Sequence, residues 1–322
     1  MRMTARLITA ALTIALCGAT VQAQDFPIKP VRLVVGFPPG GLADITARLL
    51  SERLTTVWKQ QVIVDTRAGA SGAIAADLVA RSPGDGYTLL VILTNHVVLP
   101  SVQPKLSFDP LKDFAPVSLI GSAPVMLMAS KKLPVNTIQE LVALAKSKPG
   151  ELTYSTPGEG SIHHLSQELL DSSVGIKMVH VPYTGGAPAM MDAISGVVNL
   201  TVGSPAQALQ QVQGGQLKAL SISSPHRSPL LPDVPTVSET VMPGFSAGLW
   251  AGVLAPRSTS PALVDKINAD ITRILKTPEM NTRMVNLGVE VIAGTPAEFS
   301  TFMASEMKRW NDVAKKAGVK AE

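Results

Sequence analysis

A chain of 322 residues, 46% hydrophobic and 16% charged, carries enough apolar material for two packed domains. Lys plus Arg number 28 against 24 Asp plus Glu, basic residues cluster no further than pairs, and aromatics make up 4%, so a nucleic-acid surface is a poor fit. The single cysteine, Cys17, excludes a disulfide framework and a cysteine metal site.

The stretch "MRMTARLITAALTIALCGATVQA" opens with Arg2 and Arg6 and no acid. An apolar run over 7–16 follows, then Val21-Gln22-Ala23, a small-x-small pattern. This is the layout of a secretory signal peptide over 1–23, cleaved after Ala23. A membrane anchor would need to cross about 30 Å of hydrocarbon, which the run is too short to do. A lipoprotein signal would need a small residue where Leu16 precedes Cys17. Cleavage would remove the cysteine and bring the two signs of charge closer to balance. The expected product is a soluble exported, periplasmic protein.

"VRLVVGF" (31–37) is a nearly all-apolar, buried-type strand. Over 42–58, Leu42, Ile45, Leu49, Leu50, Leu54 and Val57 mark a helix with a wide apolar stripe. "QVIVDT" is a second strand. "GAIAADLVARS" is a helix ending at the turn cluster Pro83-Gly84-Asp85-Gly86, and "YTLLVIL" is a third strand. Repeated strand–helix alternation predicts an α/β fold with parallel strands.

The pattern then restarts. "FAPVSLIGSAPVMLMAS" is expected as one long extended segment, and "TIQELVALAKSK" as a helix with a capping box of Thr137 and Glu140. Further strands follow at "LTYSTPG", "KMVHVPY", "VNLTVGS" and "LKALSIS", with helices between them. "SPHRSPLLPDVPTVSET" is expected as a proline-rich connecting loop. The last stretch holds "GLWAGVLAP" and helices around 261–276, 278–286 and 296–317. It has too few strand signals for a domain of its own, so it is expected to complete the first unit. The expected division is one lobe from 24–123 and 225–322, and a second from 124–224.

"FPPGGLAD" (37–44) breaks the first strand with prolines and glycines and then starts a helix with Asp44 in its first turn. In open α/β sheets, ligands bind beyond the carboxyl ends of strands. Glycines there let backbone approach a ligand, and a helix start offers free N–H groups and a positive dipole end to an anion. The plain alternative is a tight turn with Asp44 as a dipole partner. The device recurs, however, in "YSTPGEGSIHHL" at Ser161, in "VPYTGGAPAM" at Thr184, and in "TVGSPAQAL" at Ser204. Helix ends worth about 0.3–2 kcal/mol each, plus hydrogen bonds to an anion at about 1.5–3 kcal/mol each, reach micromolar affinity near −8 kcal/mol. No arginine is needed.

Together "FPPGGLADITAR", "RAGASGAIAADLVARSPGDGYTLL", "YSTPGEGSIHHLSQELL", "VPYTGGAPAMMDAISGVV" and "RSPLLPDVPTVSE…PGF" resemble the Bug family. These are extracytoplasmic solute receptors of the tripartite tricarboxylate transporter type, and the resemblance runs through the whole chain after the leader. It implies a two-lobed, type II-like periplasmic binding protein that closes on a small carboxylate and hands it to a membrane permease or reports it to a membrane sensor. Such a receptor is expected to be a monomer without cofactor or metal. The ligand set implied is Phe37, Gly40, Gly41, Leu42, Asp44, Thr94, Asn95, Ser155, Gly160, Ser161, Thr184, Gly185 and Ser204, acting largely through backbone amides and bridging waters. Two places depart from the family pattern. Thr94-Asn95-His96 stands where members commonly have Gly-Thr-His, and Gly203-Ser204 stands where many carry an acid or amide. Both are expected at the pocket, and the missing acid points to a carboxylate ligand without an amine.

An enzyme is the main rival class. Among the five histidines, His163 and His164 share a predicted helix with Glu168. No H-E-x-x-H, G-x-S-x-G, P-loop or G-x-G-x-x-G motif accompanies them, so a packed helix histidine is the simpler reading. Trp58 and Trp310 are expected as packing or partly exposed helix residues, Trp250 as a core residue with the cleft as the alternative, and Asn199-Leu200-Thr201 as part of a buried strand.

Overall fold

The computed structural model describes residues 26–103 and 105–316. The expected signal peptide lies outside the described residues. Strand β1 (Val31–Val35) is buried on both faces, as its unbroken apolar run requires. It leads to α1 (Leu42–Trp58), which turns Leu49, Leu50 and Leu54 into the core. Then come β2 (Val62–Thr66), α2 (Ala73–Ala80) and β3 (Thr88–Leu93). Helical connections allow parallel pairing, and β1 pairs in parallel with both β2 and β3.

The periodicity did not announce α3 (Asn95–Val102), which even contains Pro100. Asn95, Val97, Val98 and Pro100 are weak helix formers. The helix forms because Val97, Val98 and Leu99 are buried, so packing overrides propensity.

The segment expected as one extended run is two strands, β4 (Phe114–Pro124) and β5 (Met126–Ser130), in different sheets. The chain changes sheet at Val125. The second unit continues with α4 (Ile138–Ser147), β6 (Thr153–Thr156), α5 (Ile162–Val174) and β7 (Val179–Pro182). After these come α6 (Gly186–Ser195), β8 (Leu200–Gly203), α7 (Pro205–Gln213) and β9 (Leu217–Ile222). The remaining elements are α8 (Val237–Thr240), β10 (Gly248–Pro256), α9 (Pro261–Leu275), α10 (Pro278–Asn286), β11 (Glu290–Val291) and α11 (Pro296–Lys316).

Two sheets result. One has six strands in the order β11-β4-β10-β3-β1-β2, the other five in the order β7-β6-β8-β5-β9. The late strand β10 runs antiparallel between β3 and β4, in the middle of the first sheet. The proline-rich segment before it stays with the second sheet. Ile222 bridges to Thr236, and Leu231 and Val234 are buried with Met126 and Met128. The chain thus regains the first sheet at Gly248, later than the 224/225 boundary expected from composition.

The chain crosses between sheets at Val125 and again between Ser223 and Ala247. Ser223 ties the crossings together. Its amide donates to Val125 O at 2.9 Å, and its hydroxyl accepts from Val125 N at 2.9 Å and donates to Ala247 O. Ala247 N in turn donates to Ser223 O at 3.1 Å. One hydrophobic core spans the crossing, joining Leu127, Leu165 and Val202 to Trp250, Phe299 and Trp310. Among the described residues, no helix is long and apolar enough to cross a membrane.

Candidate ligand-binding site

Strand directions put the glycine loops in one place. β4 ends at Pro124 opposite Gly248, where β10 begins. β3 runs antiparallel to β10, so it ends at this level, and β1 and β2 end with it. On the other side, β5 starts at Met126 opposite Gly203, the last residue of β8, and β6 and β7 run parallel to β8. The carboxyl ends of β1, β2, β3, β6, β7 and β8 therefore all open on the seam between the sheets, where α/β ligands bind.

In the first sheet's loop, Gly40 and Gly41 are exposed and Phe37 and Leu42 half-buried. Gly40 has φ +84° with open space where a side chain would stand. Asp44 is only 2% exposed. Its Oδ2 accepts from Gly40 N at 2.9 Å and from Arg48 Nε at 2.9 Å. The Arg48 hydrogen bond, aided by the Gly40 amide, holds the carboxyl below the usual range against the opposing effect of burial. Asp44 Oδ1 is buried and makes no hydrogen bond among the described residues.

The second sheet's loops repeat this construction. Ser161 caps α5, its Oγ accepting from His164 N at 3.3 Å. Gly160, with φ +67°, donates its amide to His164 Nδ1 at 3.1 Å. His164 stacks on His180, centroids 3.8 Å apart and planes within 10°. His180 Nε2 lies 2.7 Å from Thr156 Oγ1, which also donates to Gly158 O. Thr184 is exposed, Gly185 is the residue before α6, and Ser204 caps α7 by accepting from Gln207 N at 3.3 Å. A Cβ at Gly186 would stand 3.4 Å from Gln207 Oε1 and 3.8 Å from Pro157 Cγ, so the three loops meet.

Some expected residues are drawn inward. Thr94 is fully buried, its Oγ1 accepting from Trp250 N at 2.8 Å. Ser155 is fully buried and donates to Ala189 O at 2.9 Å. Both hydroxyls are occupied by backbone and brace the strand ends. Asn95 is half-buried at the start of α3. His96 was expected at the pocket. It packs instead between Phe108 and Phe114 with Nε2 3.0 Å from Pro110 O, and burial lowers its pKa to about 4. The amides of Gly40 and Gly160 are likewise committed to side chains, so they shape the loops without facing outward. Trp250 lies in the core, its indole donating to Glu306 at 3.1 Å.

One seam element escaped sequence reasoning. The turn after β2 runs through four consecutive residues of positive φ, Gly69 (141°), Ala70 (47°), Ser71 (53°) and Gly72 (98°). For Ala70 and Ser71 this conformation costs about 1–2 kcal/mol each. Such strain persists where structure over-determines it, often at ligand clamps. The available signal was the pair of glycines flanking two small residues at a strand's carboxyl end. Among the described residues, no group of three His, Cys, Asp or Glu side chains is placed to hold a metal ion.

The model of the tripartite tricarboxylate transporter family receptor matches residues 46–319. The chain belongs to this family. BugT of Bordetella pertussis is 35% identical over 99% of both chains. A solved structure of Rpa4515 from R. palustris with adipate is 34% identical, covers 92% of this chain and all of its own, and has a TM-score of 0.80. MatC of Rhodopseudomonas palustris with bound malate is 33% identical, covers 90% of this chain and all of its own, and has a TM-score of 0.74. Members of the family are solute-binding receptors of the two-lobed α/β type.

Proposed function

We propose that the chain is exported, is cleaved after Ala23 and works in the periplasm as a receptor that closes on a small organic dicarboxylate. The observation that supports this most directly is the convergence of the α1, α5, α6 and α7 starts on one seam. Helix starts bind carboxylates through free N–H groups and the dipole. The candidate contacts are Phe37, Gly41, Leu42, Ser161, Thr184, Gly185 and Ser204, with Asp44 and Gly160 setting loop shape. Adipate and malate in the two similar structures point to the same ligand class. An α-ammonium would need a carboxylate partner; Asp44 is buried, with Oδ2 held by Gly40 and Arg48, which leaves only its Oδ1 without a partner among the described residues. We assign delivery of the solute to a tripartite permease, and no catalytic role.

The test is calorimetry on residues 24–322, refolded free of carried ligand, with adipate, malate, a tricarboxylate, aspartate and a sugar. Saturation at 100 times Kd should stabilise by about 2.7 kcal/mol. Binding of acids without an amine carries the reading. Binding of the sugar alone, or of no carboxylate, overturns it.

A further inference from the structure

Both sides of the seam use one local device. A glycine of positive φ precedes the helix cap, and its amide is held by the side chain of the third helical residue. Gly40 is held by Asp44 and Gly160 by His164. The same reach occurs at α4, where Glu140 takes the amide of Asn136, away from the seam. At the seam the acceptors differ in chemistry. Asp44 is a carboxylate fixed by Arg48, whereas His164 accepts only while Nδ1 is unprotonated.

We infer that the stacked pair His164 and His180 positions the 157–161 loop and makes ligand capture by the second lobe acid-sensitive. This rests on the receptor reading above. The chain of contacts is continuous. Gly160 N–H reaches His164 Nδ1, His164 lies flat on His180, His180 meets Thr156 Oγ1, and Thr156 Oγ1 bonds both Gly158 O and Gly158 N. Protonating His164 sets N–H against N–H at Gly160. Protonating both rings sets two cations 3.8 Å apart. Burial holds both imidazoles down to about 4, the His180 ring adding to the effect on His164.

The surrounding charges decide the direction. On α5, Glu168 Oε1 lies 3.9 Å from His164 Nε2 and favours the imidazolium, but it also accepts from Tyr154 OH on β6 at 2.5 Å. His163 is the neighbouring imidazole, also lowered to about 4. Asp171, one turn on, carries a carboxyl that burial, which favours the neutral form, pushes up to about 8 against the hydrogen bond from Gln167. From α11, Arg309, Asp312 and Lys316 share with Glu168, Asp171 and Lys177 a cavity of about 370 Å³. Glu159 in the loop itself is exposed to solvent. Among the described residues Glu168 is the carboxylate in ion-pair reach of His164, and it is shared with Tyr154.

The experiment has a ligand-free arm and a binding arm. NMR of the ligand-free protein follows the imidazole carbons and the Gly160 amide from pH 7 downward. Expected are His164 and His180 midpoints near pH 4, with the Gly160 amide moving in step. Midpoints near the ordinary histidine value with an unmoved Gly160 overturn the inference. In the binding arm, adipate and malate are titrated at pH 7 and pH 4 into wild type, H164N and H180Q. Asn and Gln offer an untitratable partner where each imidazole nitrogen stood. Half-protonation of one or both rings predicts about two- to fourfold extra loss of affinity at pH 4 in wild type. The comparison with the variants cancels ionisation of the acid itself. An equal acid loss in wild type and both variants overturns the inference. If neither acid binds at pH 7, the dicarboxylate reading fails, while the Gly160 titration still decides the positioning role.

Discussion

The carboxylate of Asp44 holds the amide of Gly40 at 2.9 Å while sitting almost wholly inside the protein. Asp44→Ala should cost about 1 kcal/mol of stability, the scale of a lost helix-start acceptor. It should weaken dicarboxylate binding by about tenfold, because the 37–41 loop loses its fixed shape. Urea unfolding and calorimetry on the same preparation check both. The carboxyl is held below its ordinary value, so its contribution is complete above about pH 4 and lost as pH falls below it. A variant that unfolds but binds normally when folded would exclude Asp44 from shaping the loop.

The buried Asp171 has the opposite sign. Its carboxyl is raised from 3.8 to about 8 by burial, although Gln167 Nε2 donates to it at 2.7 Å. The stabilisation linked to its proton is complete below about pH 4 and lost as pH rises through about 8. Asp171→Asn keeps the acceptor for Gln167 and removes the titration. The variant should gain about 1–3 kcal/mol over wild type between pH 5.5 and pH 8.5, read as the change in urea midpoint. A constant difference across that range would refute it.

Ser223 bonds both crossings. Ser223→Ala leaves the buried Val125 amide without its acceptor, a loss of about 1–3 kcal/mol. The affinity should change as well, because the seam is set where the crossings meet. Equal stability with altered affinity would still place Ser223 at the pivot; no change in either would remove it.

Glu306 is 7% exposed and receives the indoles of Trp250 at 3.1 Å and Trp310 at 2.8 Å. Arg309 donates to its other oxygen at 3.2 Å. Glu306→Ala strands two buried indole N–H groups, so we expect about 3 kcal/mol or more of destabilisation. Glu306→Gln, which keeps an acceptor, should lose less. The ranking is read from thermal unfolding.

The fold was legible where pattern and packing agree. The apolar β1 run and the α1 stripe lie where their periodicity puts them, and Trp58, Trp250 and Trp310 are buried. It was illegible where packing overrides local preference, as at α3, or where a straight apolar run hides a change of sheet at Val125. In the candidate site, the glycine loops announced themselves by their place after strands. The inward turn of Thr94, Ser155 and His96 did not. Whether a polar residue at a strand end faces the seam or the sheet depends on which backbone group lies opposite, and those groups come from distant strands such as β10. The Gly160–His164 contact was hidden for another reason: of the two adjacent imidazoles in "SIHHL", the pattern does not say which one reaches back beneath the cap to the Gly160 amide.

Glu306 also makes the molecule optically useful. Trp250 sits on the strand that enters at the crossing and donates its indole to the same carboxylate as Trp310 on the last helix, while Trp58 is held apart by Asp270. Arg309, which bonds Glu306, also donates to Ser246 O in the crossing, so a shift at the crossing reaches that shared carboxylate and both chromophores at once. Native emission should therefore shift on solute capture without any attached dye, and Trp58→Phe should leave that shift intact while lowering the background.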